Sequence, residues 1–269
     1  LLILSELRIG CVALDKIAVA QQFSMAAPHY DQAAHLQRNV ADRLLHLVQR
    51  LSIPDNADVV DLGTGTGYFL PFLQQQFRPA TLSALDFSAA MLSLAAQRVE
   101  NVQLVEADLE QVPFPVNSLD LATSSLAVQW LEQPEPFVTR MAQALKPGGY
   151  LALATLGPKT LCELKQAWAQ VDNSKHVNSF HHAVDWIEAV WQSDLELTLW
   201  REERLEVRYD SPLQLLQELK AIGANHVDRD EQPKMGHLRS MLRVYDGFVR
   251  SDGRYPATWD VFYLIARKP

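Results

Sequence analysis

Asp61-Leu62-Gly63-Thr64-Gly65-Thr66-Gly67 is the stretch that decides how this chain folds. Ahead of it, Ala57 to Val60 is a short apolar run that reads as a buried strand, and a helix-like stretch begins near Tyr68. A strand that turns sharply into a helix leaves free backbone N–H groups at the helix start. Three glycines allow positive φ and let a ligand approach the backbone closely. Asp61, at the strand end, repels a phosphate and suits a ligand that carries an ammonium group. A dinucleotide site prefers G-x-G-x-x-G with small apolar residues ahead of the first glycine. Here the spacing is G-x-G-x-G with an acid two residues before it, and the turn holds no basic residue of the kind a P-loop needs.

Two further acids extend the pattern. Asp86 ends the apolar run Thr81 to Leu85, at a distance from the glycine turn where an acid grips ribose hydroxyls. Asp108 ends the run Val102 to Ala107, placed to accept a hydrogen bond from the exocyclic amine of adenine. A hydrogen bond to a charged group contributes about 1.5–3 kcal/mol, so three such acids supply much of a micromolar affinity. The alternative is a plain tight turn with acids capping helices, and Asp86, followed by Ser88, fits that reading nearly as well when taken alone.

The 269 residues are 48% hydrophobic and 21% charged, enough to bury a full core. The formal net charge of −8 argues against general nucleic-acid binding. Cys11 and Cys162 form neither a metal-ligand spacing nor a disulfide framework, so no metal is expected and a reducing, cytoplasmic setting fits. No apolar run reaches transmembrane length, and no membrane association is expected. Residues 1–14 read as an atypical N-terminal extension without a signal-peptide pattern. Residues 15–51 read as two helices, Asp15 to Ala27 and a second from Asp31 to about Gln49, with Val40, Leu44, Leu47 and Leu51 at helical spacing. Residues 52–269 read as one α/β domain. Strand and helix alternate over 55–157, as in a mostly parallel sheet with helices on both faces. Helical insertions at about 158–192 and 211–254 are expected to form a lid at the carboxyl ends of the strands. Leu195 to Tyr209 reads as a pair of extended segments, and Phe262 to Ala266 as a late strand.

DLGTGTGYF (61–69), ALDFSAAML (84–92), VEADLEQVPFP (105–115), SLDLATSSLAVQWL (118–131) and ALKPGGYLAL (144–153) together resemble the class I S-adenosylmethionine-dependent methyltransferases. The resemblance implies a Rossmann-like seven-stranded sheet and S-adenosylmethionine as methyl donor, with S-adenosylhomocysteine as product. It implies that Asp61, Gly63, Thr64 and Gly65, with Gly67 in the same turn, hold the methionine end of the cofactor. It places Asp86 on the ribose, Phe87 and Met91 beside the adenine, and Asp108 and Leu109 at the adenine edge. Ser124, Ser125 and Leu126 are to line the floor beneath the methyl group.

The flanks narrow the resemblance. DKIAVAQQFSMAAPHYDQAAHLQRNVADRLL (15–45), LCELKQAWAQVDNSKHVNSF (161–180), LLQELKAIGANHV (215–227) and GRYPATWDVFYLIARK (253–268) look like the malonyl-acyl-carrier-protein O-methyltransferases of the biotin pathway. The glycine turn departs from many relatives in carrying Thr64 and Thr66. The implied reaction moves a methyl group to the free carboxylate of a malonyl thioester on acyl carrier protein, or on coenzyme A, priming pimeloyl synthesis. That carboxylate is already ionised at pH 7. No general base is needed, and neutral donors suit it better than a rigid guanidinium. Tyr30, Gln129, His176 and Asn178 are the candidates for that task, with Trp130 beside Gln129. Arg239, Arg243 and Arg250 fall on one face of an expected helix and offer an acidic carrier protein a docking surface. The alternatives are a methyltransferase acting on a polycarboxylate or quinone precursor, and a cofactor-binding module without catalysis.

Overall fold

The computed structural model describes residues 16–224 and 235–269, so the 1–14 extension, Asp15 and the segment 225–234 lie outside the described residues. The first elements are α1 (Lys16–Ala26), α2 (Tyr30–Ala33) and α3 (His35–Val48). Where periodicity predicts one helix from Asp31 to Gln49, the chain breaks at Ala34, whose ψ of 42° leaves the helical region. The break frees α2 to lie on the glycine turn, where Asp31 Oδ1 accepts a 2.8 Å hydrogen bond from Thr66 Oγ1. α3 packs on the core through Leu36, Val40 and Leu44, with Leu47 and Leu51 only partly covered.

The sheet begins with β1 (Asp58–Leu62), α4 (Leu70–Phe77), β2 (Thr81–Asp86), α5 (Ala89–Ala95), β3 (Gln103–Glu106) and β4 (Leu119–Ser125). It continues through α6 (Pro134–Ala144), β5 (Leu145–Leu156), α7 (Cys162–Ala169), α8 (Ala183–Trp191), β6 (Glu196–Tyr209), α9 (Pro212–Ala221), α10 (Met235–Tyr245) and β7 (Tyr255–Arg267). Seven strands lie in the order β3-β2-β1-β4-β5-β7-β6, parallel from β3 to β5, with β7 antiparallel to both its neighbours. The strand order reverses between β1 and β4, which is where an open sheet of this kind leaves a crevice for a ligand. β1 carries apolar side chains on both faces because helices cover both. One layer is built by α3, α4 and α7 with α9 and α10, and the other by α6 and α8, whose Phe137, Met141, Trp186 and Val190 are fully enclosed.

Where a pair of extended segments is expected over Leu195 to Tyr209, Glu196–Tyr209 forms one edge strand. Its middle, Arg201-Glu202-Glu203, is charged but contains no turn residue, and the charges sit on the open edge with Arg43 Nη1 paired to Glu203 at 2.7 Å. Charged edges discourage pairing with other chains. The late strand is also longer than its apolar stretch, because Tyr255 to Val261 pairs with β6. Ser211 caps α9 by accepting from the Gln214 amide, with Pro212 at the first position.

The expected helix bearing three arginines is shorter than its pattern. α10 ends at Tyr245, whose hydroxyl donates to Pro256 O, and a 3₁₀ turn follows. Arg239 and Arg243 are on the helix, but Arg250 lies beyond it and pairs with Glu206. The shared helical face therefore does not include Arg250. Leu121, at the centre of β4, is fully buried. Leu121→Ala is expected to cost about 2–5 kcal/mol, read as a lower urea midpoint at unchanged slope.

Candidate functional site

The turn after β1 is tied to β2. Thr64 N–H donates to Leu85 O at 2.8 Å, and Gly65 N–H donates to Asp86 Oδ2 at 2.8 Å. Gly65 has φ +54° and nothing within 4 Å of where a Cβ would stand, so the turn opens onto free space there. Gly67 has φ +78° and serves packing instead, since a Cβ would come within 2.8 Å of Ala95 Cα. Of the expected cofactor residues, Asp61, Gly63, Thr64, Gly65, Asp86, Phe87, Met91, Asp108, Leu109, Ser125 and Leu126 all line one cavity. Gly67 does not. Neither does Ser124, which is fully buried and donates its hydroxyl to Leu62 O at 2.7 Å.

Two carboxyls at this cavity are nearly enclosed, Asp61 at 3% exposure and Asp86 at 5%. Burial pushes Asp61 up to about 6, against the pull of Thr64 and Thr123, whose hydroxyl donates at 2.9 Å. Burial likewise pushes Asp86 up to about 6, opposed by the N–H groups of Gly65, Ser88 and Phe87. Ser88, not Asp86, caps α5 by accepting from Met91 N–H. Asp86 lines the cavity with its oxygens accepting from the Gly65 and Ser88 N–H groups, so it is not the cap of α5. Asp108 is already engaged, because Lys16 Nζ on α1 reaches Asp108 at 2.7 Å and also bonds Glu110. Its other oxygen accepts from the Glu110 N–H.

A second cavity adjoins the first. Gln129, Trp130, His176 and Asn178 line it, and Tyr30 lines both. Phe23, Tyr30, Gln37, Leu126 and Trp130 belong to both cavities and form the wall between them. Leu126 holds φ +52°, a strained conformation for a side-chain-bearing residue, fixed by its N–H to Ala154 O at 2.8 Å. Burial and the charges of Asp86 and Asp31 push the Tyr30 hydroxyl well above the ordinary tyrosine range, so it stays a donor. Gln129 Nε2 donates to Leu126 O at 2.6 Å. His176 is stacked on Trp168, with ring centroids 3.6 Å apart, and its Nε2 meets Asp172 Oδ1 at 2.7 Å. Asp172 Oδ2 meets His237 Nδ1 on α10 at 2.9 Å. Burial alone would raise Asp172, but His176, the Ser174 N–H and His237 hold it low, at about 2. His176 is thus a fixed wall residue. Phe23 and Gln37 were not singled out from sequence. Both sit in helical segments whose patterns look like ordinary packing, and only the junction of the cavities reveals them.

The arrangement suits a ligand with an ammonium, a ribose and an aromatic base. Asp61 with the open space at Gly65, Asp86, and Phe87 with Met91 all line the one cavity in which such a ligand would be held. Comparisons with known proteins give the same picture. Residues 60–153 match the model of a methyltransferase domain family. The YcgJ protein of Bacillus subtilis superposes with a TM-score of 0.63 at 16% identity, covering 84% of this chain and 98% of that one. The geranyl diphosphate C-methyltransferase of Streptomyces coelicolor, in complex with S-adenosyl-L-homocysteine, gives 0.53 at 15%, covering 89% and 84%. These two show the fold. A malonyl-[acyl-carrier protein] O-methyltransferase of Hahella chejuensis is 37% identical over 96% of this chain and 92% of its own length. That of Laribacter hongkongensis is 36% identical over 95% and 90%. The chain belongs to the malonyl-[acyl-carrier protein] O-methyltransferase family.

Members of this family are enzymes of biotin synthesis that take their methyl group from S-adenosylmethionine, and the residues of the first cavity fit that donor. The chain also matches the biotin biosynthesis bifunctional protein of Teredinibacter turnerae, 37% identical over 94% of this chain, but spans only 47% of that longer protein. Among the described residues no helix is long and apolar enough to cross a membrane, and no cluster of His, Cys, Asp or Glu is placed to hold a metal ion.

The raised carboxyls carry a pH consequence. A group with a pKa of about 6 is ionised at pH 7.5 and mostly protonated at pH 5. The cationic donor needs the ionised form, so affinity should fall on acidification. Calorimetry with S-adenosylhomocysteine is expected to show Kd rising as pH drops from 7.5 to 5, by up to about tenfold per unit for each carboxyl that must be ionised. Asp61→Asn should weaken binding at pH 7.5 and flatten that profile.

Proposed function

We propose that this chain methylates the free carboxylate of a malonyl thioester carried on acyl carrier protein, producing the methyl ester that primes pimeloyl synthesis. The observation that carries this reading is the pair of cavities meeting at one wall, the first built for a cation and the second nearly free of charge. Among the described residues, the lining of the second cavity contains no carboxylate and no guanidinium, and its one lysine, Lys220, is exposed. When bound, the donor supplies a methyl carbon on a sulfonium. One carboxylate oxygen forms the new bond to that carbon, the carbon–sulfur bond breaks with its electron pair left on sulfur, and no proton moves.

The chain's own task is to orient and to exclude water. Holding oxygen, carbon and sulfur in line contributes about 7–11 kcal/mol. Tyr30 is protonated, half-buried and on the shared wall, so its hydroxyl is the donor best placed to hold the carboxylate without quenching it. Gln129 and Asn178 border the same space, and His176, pinned by Trp168 and Asp172, shapes its far side. α1, α2, α7, α9 and α10 act as the lid.

A carrier-protein substrate calls for a basic surface, because acyl carrier proteins are acidic. Arg239 and Arg243 on α10 supply it beside the second cavity, where Leu238 of the same helix is a lining residue. Arg250 is held by Glu206 and contributes less. The paucity of cysteines supports a cytoplasmic setting.

The test is mass spectrometry of malonyl-carrier protein incubated with S-adenosylmethionine, where a gain of one methylene mass is expected; an unchanged mass, with S-adenosylhomocysteine binding intact, would refute the substrate. Tyr30→Phe should lower kcat by about 10–100-fold, the worth of one hydrogen bond to a charged group. Reversing Arg239 and Arg243 to glutamate should raise KM for the carrier thioester at low salt, with the difference shrinking as ionic strength rises.

A further inference from the structure

The wall between the cavities holds a polar group that the proposed reaction has not used. Gln37 lies in the first turn of α3 and lines both cavities. Its carboxamide oxygen is buried and has no hydrogen-bond partner among the described residues. Leaving a buried acceptor unpaired costs about 1–3 kcal/mol, and side-chain polar atoms in folded proteins are seldom left so. An unpaired acceptor on a residue that lines two cavities points to a ligand that completes it.

The chemistry of that ligand follows from its neighbours. On the donor side the cavity is lined by four carboxyls, of which Asp31 is paired with Arg98 and Asp108 with Lys16, while Arg38 is turned to Asp31 O and His35. An acceptor beside the remaining two, the nearly enclosed Asp61 and Asp86, calls for a cationic N–H donor. The amino-acid end of the methyl donor carries one, its α-ammonium, whereas the ionised malonyl group carries none. With the oxygen turned to the ammonium, the amide nitrogen is left for the second cavity, where an ionised carboxylate needs N–H donors. The opposite placement would aim N–H at ammonium and oxygen at carboxylate, unfavourable on both sides.

We propose that the Gln37 carboxamide bridges the two substrates, its oxygen accepting from the donor's ammonium and its nitrogen donating to the acceptor's carboxylate. The second half rests on the reading of the second cavity as the malonyl site. One planar group then sets the position of the carboxylate relative to the donor, and the carboxylate side is complete only once the donor has fixed the amide's orientation.

Two variants separate the halves. Gln37→Leu removes both contacts and is expected to weaken S-adenosylhomocysteine binding by calorimetry and to raise KM for the malonyl thioester, each by about tenfold. Gln37→Glu keeps an oxygen for the ammonium but repels the carboxylate. It is expected to bind S-adenosylhomocysteine within about threefold of the wild type, yet to raise malonyl KM by at least about tenfold. Thermal melts establish that each variant is folded, and Gln37→Glu decides alone if Gln37→Leu does not fold. The proposal is overturned if Gln37→Glu loses S-adenosylhomocysteine affinity as fully as Gln37→Leu, or if either folded variant leaves both quantities within twofold of the wild type. A wild-type enzyme that methylates no malonyl thioester would defeat the carboxylate half together with the proposed substrate. The calorimetric comparison would still judge the ammonium half.

Discussion

The bond from the Gly65 N–H to Asp86 sets the geometry of everything above the sheet. It ties the turn after β1 to the end of β2 and so spreads the crevice at the reversal of strand order. Asp86 has to be buried to make this bond, and burial disfavours its charge. Asp61 meets the same cost one strand away. Two nearly enclosed carboxyls are a poor way to stabilise an isolated protein. They make sense where a cationic ligand restores the lost solvation, which is why this crevice suits a sulfonium and an ammonium rather than a phosphate.

The sheet was largely legible in the sequence because its signals are local. Short apolar runs ending in acids give strands, and the G-x-G-x-G turn gives the crossover. The elements misjudged were those fixed by distant partners. The break at Ala34 has no proline or glycine to announce it; it exists because Asp31 reaches Thr66 on the glycine turn while α3 packs on the core. The single strand from Glu196 to Tyr209 is drawn out by β7, whose paired residues lie 46 (Tyr209 with Tyr255) to 71 (Glu196 with Arg267) positions later. α10 stops at Tyr245, whose hydroxyl bonds Pro256 O, a contact no helical pattern contains.

The donor site divides along the same line. Asp61, Asp86, Gly63 and Gly65 are adjacent to the turn, and spacing is enough to place them at one cavity. Ser124 and Ser125 are neighbours in sequence, yet strand alternation sends one hydroxyl into the sheet and leaves the other residue at the cavity. Gln37 and Phe23 come from helices that pack over the sheet from outside it, so their part in the shared wall depends on the tertiary fold alone.

The contrast between the two cavities is itself a physical argument about the chemistry. A carboxylate nucleophile bound by a close guanidinium would be held firmly but would lose the electron density that attacks the methyl carbon. Neutral donors give weaker grip and keep that density available, so affinity must come from elsewhere. In the proposed reading it comes from outside the reacting centre, since apolar side chains such as Leu164, Trp168 and Leu219 line the second cavity. That reading separates binding at a distance from reactivity at the centre, with the two buried carboxyls on the donor side of the shared wall and neutral groups on the other.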